Sequence, residues 1–543
     1  MKNVLILAGI VILASLLRFY DIDKLPNGLH WDEQDTGYQA YSLLKTGKDY
    51  FGNTLPLFPH SFADFRTPVF IYSSVPIVKF FGLTPFSVRV ISAVSGILSV
   101  ILIFYLAREL TPFPSLYQRE GSRRGELGLL AALVLALSPW HILYSRQSVE
   151  CNIMLPYMLL SLITFYKGLK SPRWLVLSAL FFGLTTATYS PAKFFAPILF
   201  IFLLISHKTL KLKPILLFLT IYLPIIFFST FGPAGTRFHD LSILTDPQVG
   251  SVVDLQRQTS SLSHVSSPTV GLSPSFLDKL TYNKPGVWLS SFLSNYLNTY
   301  STEYLFTKGD QQLRHSPSKD SIGQLYLIEI LPLIIGLYFI KSNKLLLFWF
   351  LVGPIPSALT RDGGPHAART FLLLPAFALT IAFGISKLKR FIPIYLSLWL
   401  VACGIVLNYF FGIYRLESAS PFQWGFNQVV TLASSKSPEY DHIFIDVEND
   451  SALMAYLFNL KIDPVFVQTR QPLPVVEPFP DTQAVILDNI YLMRPGVRFW
   501  NNLRPSGKNL IIASAKSPLL DKLEPKQTIM YPDFTPAFYV FEK

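Results

Sequence analysis

The chain has 543 residues, 51% of them apolar and only 15% charged, where soluble globular domains carry about a quarter charged residues; with a mean hydropathy of +0.39 this excludes an ordinary soluble protein. The net charge of +12 does not mark a nucleic-acid binder, because much of the basic excess sits in short loops between apolar runs, the bias of cytoplasmic loops. Two cysteines, Cys151 and Cys403, lie beside or inside apolar runs, so a disulfide framework is excluded and the fold class is a polytopic α-helical membrane protein.

In chain order, Val4 to Leu17 is the first span, with Lys2 holding the amino end in the cytoplasm. It has the charge and apolar core of a signal peptide, but no small-x-small site precedes Arg18, so it is expected to stay uncleaved. Asp21 to about Phe81 is then outside and contains two interfacial helices, Thr36 to Leu44 and Thr67 to Phe81, the second broken at Pro76. The second span, Phe86 to Ala107, exits at Arg108, Arg119, Arg123 and Arg124. Alternation continues through 125–140, 152–166, 174–189, 194–205 and 214–231. A polar stretch from Gly232 to Gln324 follows, then 325–340, 345–359, 371–385 and 391–411. About eleven spans result, and the odd count puts the carboxyl end opposite the amino end.

The tail changes character. Apolar runs shrink to strand length at His442 to Val447, Pro464 to Gln468, Ala484 to Asp488, Leu510 to Ser514 and Phe538 to Phe541, with a helical pattern over Ser451 to Leu460. The chain therefore divides at 412/413 into a transmembrane domain, residues 1–412, and a small extracytoplasmic α/β domain, residues 413–543. The tail has no glycine-rich phosphate loop and no metal-spaced His or Cys, so a structural or acceptor-recognition role is expected of it. Deleting 420–543 is expected to leave the membrane part folded.

Residues 30–41, HWDEQDTGYQAY, place Asp32, Glu33 and Asp35 just after the first span. Acids crowded at a bilayer surface resist desolvation, so packing alone does not account for them. One can act as a base while its neighbour holds a reactant; equally, Asp32 can open a helix whose first turn carries the other two. With the expected topology, further polar clusters fall on the same side: Asp64 with Arg66, His141 through Glu150, Tyr189 to Lys193, Gly309 to His315, and Arg361 to Arg369. Arg146, Lys193, Arg361 and Arg369 stand at outer ends of spans, against the orientation bias, and a phosphate gives guanidinium groups a reason to gather. Plain alternatives stand beside each: Arg66 snorkels to headgroups; Glu150 pairs with Arg146 one turn away; His366, next to Gly363-Gly364-Pro365, caps a helix; Trp31, Trp140 and Tyr144 belong to the interfacial aromatic belt.

The ordered set Asp32-Glu33, Phe65-Arg66-Thr67-Pro68, Val88-Arg89, Ser138-Pro139-Trp140-His141 with Ser145-Arg146 and Glu150, Tyr189-Ser190-Pro191-Ala192-Lys193 and Pro365-His366-Ala367-Ala368-Arg369 resembles the GT-C glycosyltransferases. The similar branch holds the protein O-mannosyltransferases and the lipid A aminoarabinose transferase (glycosyltransferase family 39, RgtA-like), and the resemblance covers roughly residues 1 to 410. It implies a GT-C fold in the plasma (inner) membrane and a hexosyl- or pentosyltransferase using a polyprenyl-phosphate sugar donor on the outer face. The acceptor is the hydroxyl of a protein, glycolipid or cell-wall polymer. In that family the Asp of the acidic pair is the base, which implies Asp32, with Glu33 or Glu150 orienting the acceptor and inversion at the sugar carbon. Arg66 meets the donor phosphate, joined by Arg146, Tyr189, Lys193, Arg361, His366 and Arg369 as substrate-binding residues. No cofactor is implied. Two alternatives stay open: a metal-dependent enzyme of oligosaccharyltransferase type with Mg²⁺ or Mn²⁺ on Asp32, Glu33 and Asp35, and a transporter or flippase of a polyprenyl-linked precursor.

Overall fold

The structure, a computed structural model, describes residues 2–62, 64–110, 120–232, 235–263, 274–340, 343–446, 452–476, 478, 483–493, 506–516 and 524–543. Arg119, Val447 and Ser451, which figure in the sequence reading, lie outside these.

The first half is α-helical: α1 (Lys2–Phe19), α2 (Trp31–Thr46), α3 (Pro68–Phe81), α4 (Pro85–Glu109), α5 (Glu120–Leu137), α6 (Pro139–Ser145), α7 (Glu150–Gly168), α8 (Arg173–Thr186), α9 (Ala192–Ser206) and α10 (Leu212–Thr230). Local chemistry fixes their starts. Thr84 caps α4, its hydroxyl accepting from Ser87 N–H at 3.2 Å, and Pro85 occupies the first helical position, where its missing N–H costs nothing. Pro139 restarts the chain after α5, so α5 and α6 meet at 61°.

Each apolar run expected as a span is helical. By length and composition, five helices among the described residues can cross a bilayer (Lys2–Phe19, Pro85–Glu109, Leu212–Thr230, Ala367–Lys387 and Lys389–Glu417), and up to seven if each of two bent pairs is one span. The sequence-based count of eleven is larger because the runs 174–189 and 194–205 fall on the short helices α8 and α9, the runs 325–340 and 345–359 fall on one bent pair, and α7 is not among the helices counted. Within the bundle, α4 turns Ser92, Ala93, Ser95, Gly96 and Ser99 inward, and such small side chains let helices approach closely. Apolar side chains such as Val4, Ile12 and Leu16 of α1 stay exposed, as surfaces facing lipid do.

The stretch from Gly232 to Gln324 is not a plain loop. It contains helices Thr236–Leu241, Gln248–Ser263, Phe276–Thr281 and Lys284–Asn298. Two of them start on polar caps, Ser275 with Asp278 and Asn283 ahead of Pro285.

The tail forms a seven-stranded mixed sheet: β1 (His442–Asp446), β2 (Val475–Val476), β3 (Ala484–Leu487), β4 (Ile490–Met493), β5 (Asn509–Ser514), β6 (Gln527–Met530) and β7 (Pro536–Glu542), in the order β2-β3-β4-β1-β5-β7-β6. Strand β1 lies at the centre, parallel to β4 and β5, with Ile443 opposite Ile490 and Ile445 opposite Ile512. Pro464–Gln468, expected as a strand, is a helix. Pro464 sits at its first position and Asp463 Oδ1 accepts from Val465 N–H at 2.9 Å, so the start signal outweighs the β preference of Val465 and Val467.

The cores do not divide at 412/413. One apolar cluster joins Leu29, Tyr38 and Tyr50 to Val88 and to residues of 426–540, among them Val429, Ile443, Phe458 and Ile512. Tyr38 Oη donates to the Ile462 carbonyl at 3.0 Å, and the Gln468 amide donates to Ser42 Oγ, Thr46 Oγ1 and the Asp49 carbonyl. The sheet domain is therefore the outer wall of α2, and removing 420–543 strips that wall instead of trimming an appendage. At Gly37 an added Cβ meets the side chains of Val88 and Phe458, so α2 fits between bundle and sheet only with no side chain there. We expect Gly37→Val to destabilise the protein by about 1–3 kcal/mol, measured by thermal unfolding in detergent, and truncation at 420 to yield degraded protein.

Candidate active site

The first turn of α2 is fixed from both sides. His30 is its N-cap: Nδ1 accepts from Asp32 N–H at 3.2 Å while Glu33 Oε2 accepts from His30 N–H at 3.2 Å. The capping role expected of Asp32 thus falls to His30, which frees the Asp32 side chain. Glu33 turns inward. Its Oε1 and Oε2 accept from Arg89 Nε and Nη2 at 2.9 and 3.0 Å, and Oε1 also accepts from Ser148 N–H at 2.8 Å. Arg89 spends its remaining donors on the Ile22, Pro26 and Gly28 carbonyls. Glu33, expected beside the chemistry, is a buried anchor whose acceptor positions are occupied.

Consecutive helical residues diverge by about 100°, so anchoring Glu33 sends Asp32 to another side. Its side chain keeps 35% of its surface exposed, at a rim where Arg66 pairs with Oδ1, Arg314 Nη1 stands 3.4 Å from Oδ2 and His30 Nδ1 3.3 Å from the same oxygen. Burial opposes ionisation of Asp32, but Arg66 above all, with Arg314, holds its carboxyl well below the usual carboxylate range. Arg314 Nη1 also lies 2.9 Å from His30 Nε2. Burial, then Arg314, pushes the His30 imidazole down, which keeps it neutral at pH 7.

Arg66 follows a tight turn, its N–H donating to the Pro59 carbonyl at 2.9 Å, and Thr67 Oγ1 ties the start of α3 to the Thr188 carbonyl at 2.8 Å. The buried guanidinium has acids around it: besides Asp32, Asp35 at 3.2 Å and Asp64 at 3.5 Å. Burial opposes its charge, and Asp32, Asp64, Asp35 and Glu150 together hold its pKa well above the ordinary value. Glu150, at the start of α7, therefore faces this cluster electrostatically. Asp35 is fully buried, accepts from Tyr50 Oη at 2.8 Å and is pushed up to about 6, by burial above all.

The other expected residues divide. Lys193 is buried with Nζ over the Phe58 ring, 5.0 Å from its centroid, one residue from the Pro59 carbonyl that receives Arg66 N–H. Tyr189 packs at the edge of the membrane core. Arg146 is structural: it donates to the Leu17, Tyr20 and Leu25 carbonyls. Arg361 reaches the Ser242 and Thr245 carbonyls, and Arg369 grips Asp362 through two nitrogens and also reaches Thr360 Oγ1; these bonds lead away from the Asp32 cluster. His366 stands beside His315, ring centroids 4.7 Å apart. Asp32 and Asp35 share the Arg66 guanidinium while Glu33 is turned to Arg89, so among the described residues the three acids do not form one metal-ligand set. Sequence reasoning missed His30 and Arg314 as individual members of the site; the signal was the polar patch Gly309 to His315, which held Arg314 without singling it out.

Residues 66–232 match the family model described as dolichyl-phosphate-mannose-protein mannosyltransferase. That segment holds Arg66, Arg89, Arg146, Glu150, Tyr189 and Lys193, whereas Asp32, Arg314 and His366 lie outside it. No curated protein matches the sequence. Among solved structures, ArnT from Cupriavidus metallidurans bound to undecaprenyl phosphate is similar at a TM-score of 0.48 and 12% identity, covering 98% of this chain and 97% of that one. ArnT in the apo state gives 0.43 at 11% identity. An Archaeoglobus fulgidus oligosaccharyltransferase in complex with Zn and sulfate gives 0.47 at 11%, covering 84% of this chain and 61% of that one.

Two measurements check the site's construction. Arg89→Ala leaves Glu33 buried without its cation and should cost about 3–5 kcal/mol of stability, read by thermal unfolding. For Asp35 the folded-state pKa of about 6 exceeds the unfolded value of about 3.9. The folded state thus binds the proton more tightly, and this residue's contribution to stability falls as pH rises from about 4 to about 6, then levels off. Asp35→Asn should flatten that part of the Tm–pH profile.

Proposed function

We propose that the protein is a membrane glycosyltransferase that moves a sugar from a polyprenyl-phosphate donor to an acceptor hydroxyl on the outer face of the plasma membrane. The observation that carries this reading is the partly exposed Asp32 carboxylate held between the guanidiniums of Arg66 and Arg314. The donor class is supported by the family model matching residues 66–232, and the setting by helices long and apolar enough to cross a bilayer.

The chemistry follows from competition for the arginines. Without donor, Arg66 and Arg314 keep Asp32 ionised but weakly basic. A donor phosphate drawn to the same guanidiniums takes their charge away from Asp32, raising its basicity as the leaving group is neutralised. Asp32 then accepts the acceptor's hydroxyl proton and the acceptor oxygen bonds to the anomeric carbon. The carbon–oxygen bond to phosphate breaks with its electron pair going to the phosphate, and the anomeric centre inverts. Arg66 and Arg314, in place of Arg361 and Arg369, are the phosphate contacts in this scheme, with Glu150 orienting the acceptor. The amino end is cytoplasmic and the sheet domain extracytoplasmic.

Purified protein in detergent, supplied with polyprenyl-phosphate sugars and hydroxyl acceptors, tests this without compartments, so turnover separates an enzyme from a carrier. Asp32→Asn should lower kcat by about 10²- to 10⁴-fold with expression intact, and Arg314→Gln should chiefly raise the donor KM. Near-normal kcat in Asp32→Asn removes the proposed base.

A further inference from the structure

Behind Arg314 lies a cluster that the sugar-transfer scheme does not use. Asp310, His315 and His366 each offer one ligand-type atom, and these atoms all lie within 4.8 Å of one another. They come from two segments, the turn 309–315 and the approach to Ala367. Gly309 makes the turn tight: its φ is +76°, and a Cβ there would collide with Ser316 Oγ. The Asp310 carboxylate is already oriented, Oδ1 accepting from Gln312 N–H at 2.9 Å and Oδ2 from Ala367 N–H at 2.8 Å. Metal-bound carboxylates are commonly held by hydrogen bonds of this kind.

The imidazoles point to what the cluster holds. His315 is buried, and the Nδ1 atoms of both His315 and His366 are buried without a hydrogen-bond partner among the described residues. His315 Nδ1 stands 3.4 Å from Asp310 Oδ2. His366 occupies an N-cap position yet its side chain makes no capping bond, so the cap reading of this residue does not account for its orientation. Buried polar nitrogens without partners are costly, and a cation shared with the adjacent carboxylate satisfies both at once.

The geometry points to a binding site for one divalent transition-metal ion, zinc by its donor set, formed by Asp310, His315 and His366. Two nitrogens and one oxygen suit zinc and leave a fourth position open, whereas magnesium and calcium prefer oxygen shells of six or more. A tetrahedral zinc holds its ligands about 3.3 Å apart, so binding draws the side chains together. The ion thereby clamps the 309–315 turn to the start of the helix at Ala367. Because Arg314 adjoins His315 and reaches Asp32, the ion also fixes the guanidinium that faces the base. This inference is independent of the proposed sugar transfer, since metal content is read without donor or acceptor.

The test uses the full chain, tag removed, in detergent. Zinc is added, the protein is desalted into metal-free buffer, and bound metal is quantified by mass spectrometry. We expect about one zinc per wild-type chain, and about a tenth of that or less in His315→Ala and His366→Gln, with both variants monodisperse. Wild type retaining well under one zinc, or variants retaining as much as wild type, overturns the site. If the variants aggregate, cobalt(II) on the wild type decides: strong four-coordinate visible bands displaced by zinc support the site, and a weak six-coordinate spectrum or none overturns it. Chelation should also speed tryptic cleavage at Lys308 and Arg314 in the wild type.

Discussion

The buried pair of Glu33 and Arg89 is the contact on which the site depends. A buried ion pair seldom adds much net stability, but it enforces one arrangement because the loss of either partner strands a charge. Here the arrangement is rotational. With Glu33 clamped by Arg89 and Ser148, α2 has one setting about its axis, in which Asp32 meets Arg66 at the rim and Asp35 meets Tyr50 inside. Two further buried arginines brace the approach: Arg146 binds the carbonyls of Leu17, Tyr20 and Leu25, and Arg18 those of Ala14 and Ala136. Backbone groups in an irregular connection near a membrane need partners, and these guanidiniums supply several at once.

This explains why arginines were ambiguous in the sequence. Arg146 and Arg369 looked like phosphate ligands because cations at outer span ends need a reason to be there. In Arg146 the reason is the 17–25 connection, and in Arg369 it is Asp362. A guanidinium satisfying carbonyls and one awaiting an anion leave the same trace in composition. Only the acids around Arg66 distinguish it, and of those Asp32, Asp35 and Asp64 are legible as a crowded local set, while Glu150 comes from another helix.

Much of the helical architecture was legible because apolar periodicity and basic loop ends survive in any single sequence; α2, α3 and α4 form close to where the pattern puts them. What the pattern could not show is which segments share a core. The tail read as a separate α/β unit because its periods change near Tyr414, yet Phe458 and Ile462 pack on α2, a partnership at a separation of 424 residues between Tyr38 and Ile462. Short β-branched runs were equally unreliable: Pro464–Gln468 reads as a strand until its proline and aspartate are weighed as a helix start.

That shared wall sets a timetable for the molecule's birth. Chains leave the ribosome amino end first, so the acid-bearing helix is made early, while the strands that cover its flank are among the last residues made. Between those moments Tyr38 and Ser42 lack their partners Ile462 and Gln468, and contacts at such separation close slowly. The Asp32 corner of this protein is therefore finished only when translation is, and a nascent chain halted before its final hundred residues carries a complete set of acids and arginines without the buttress that aligns them.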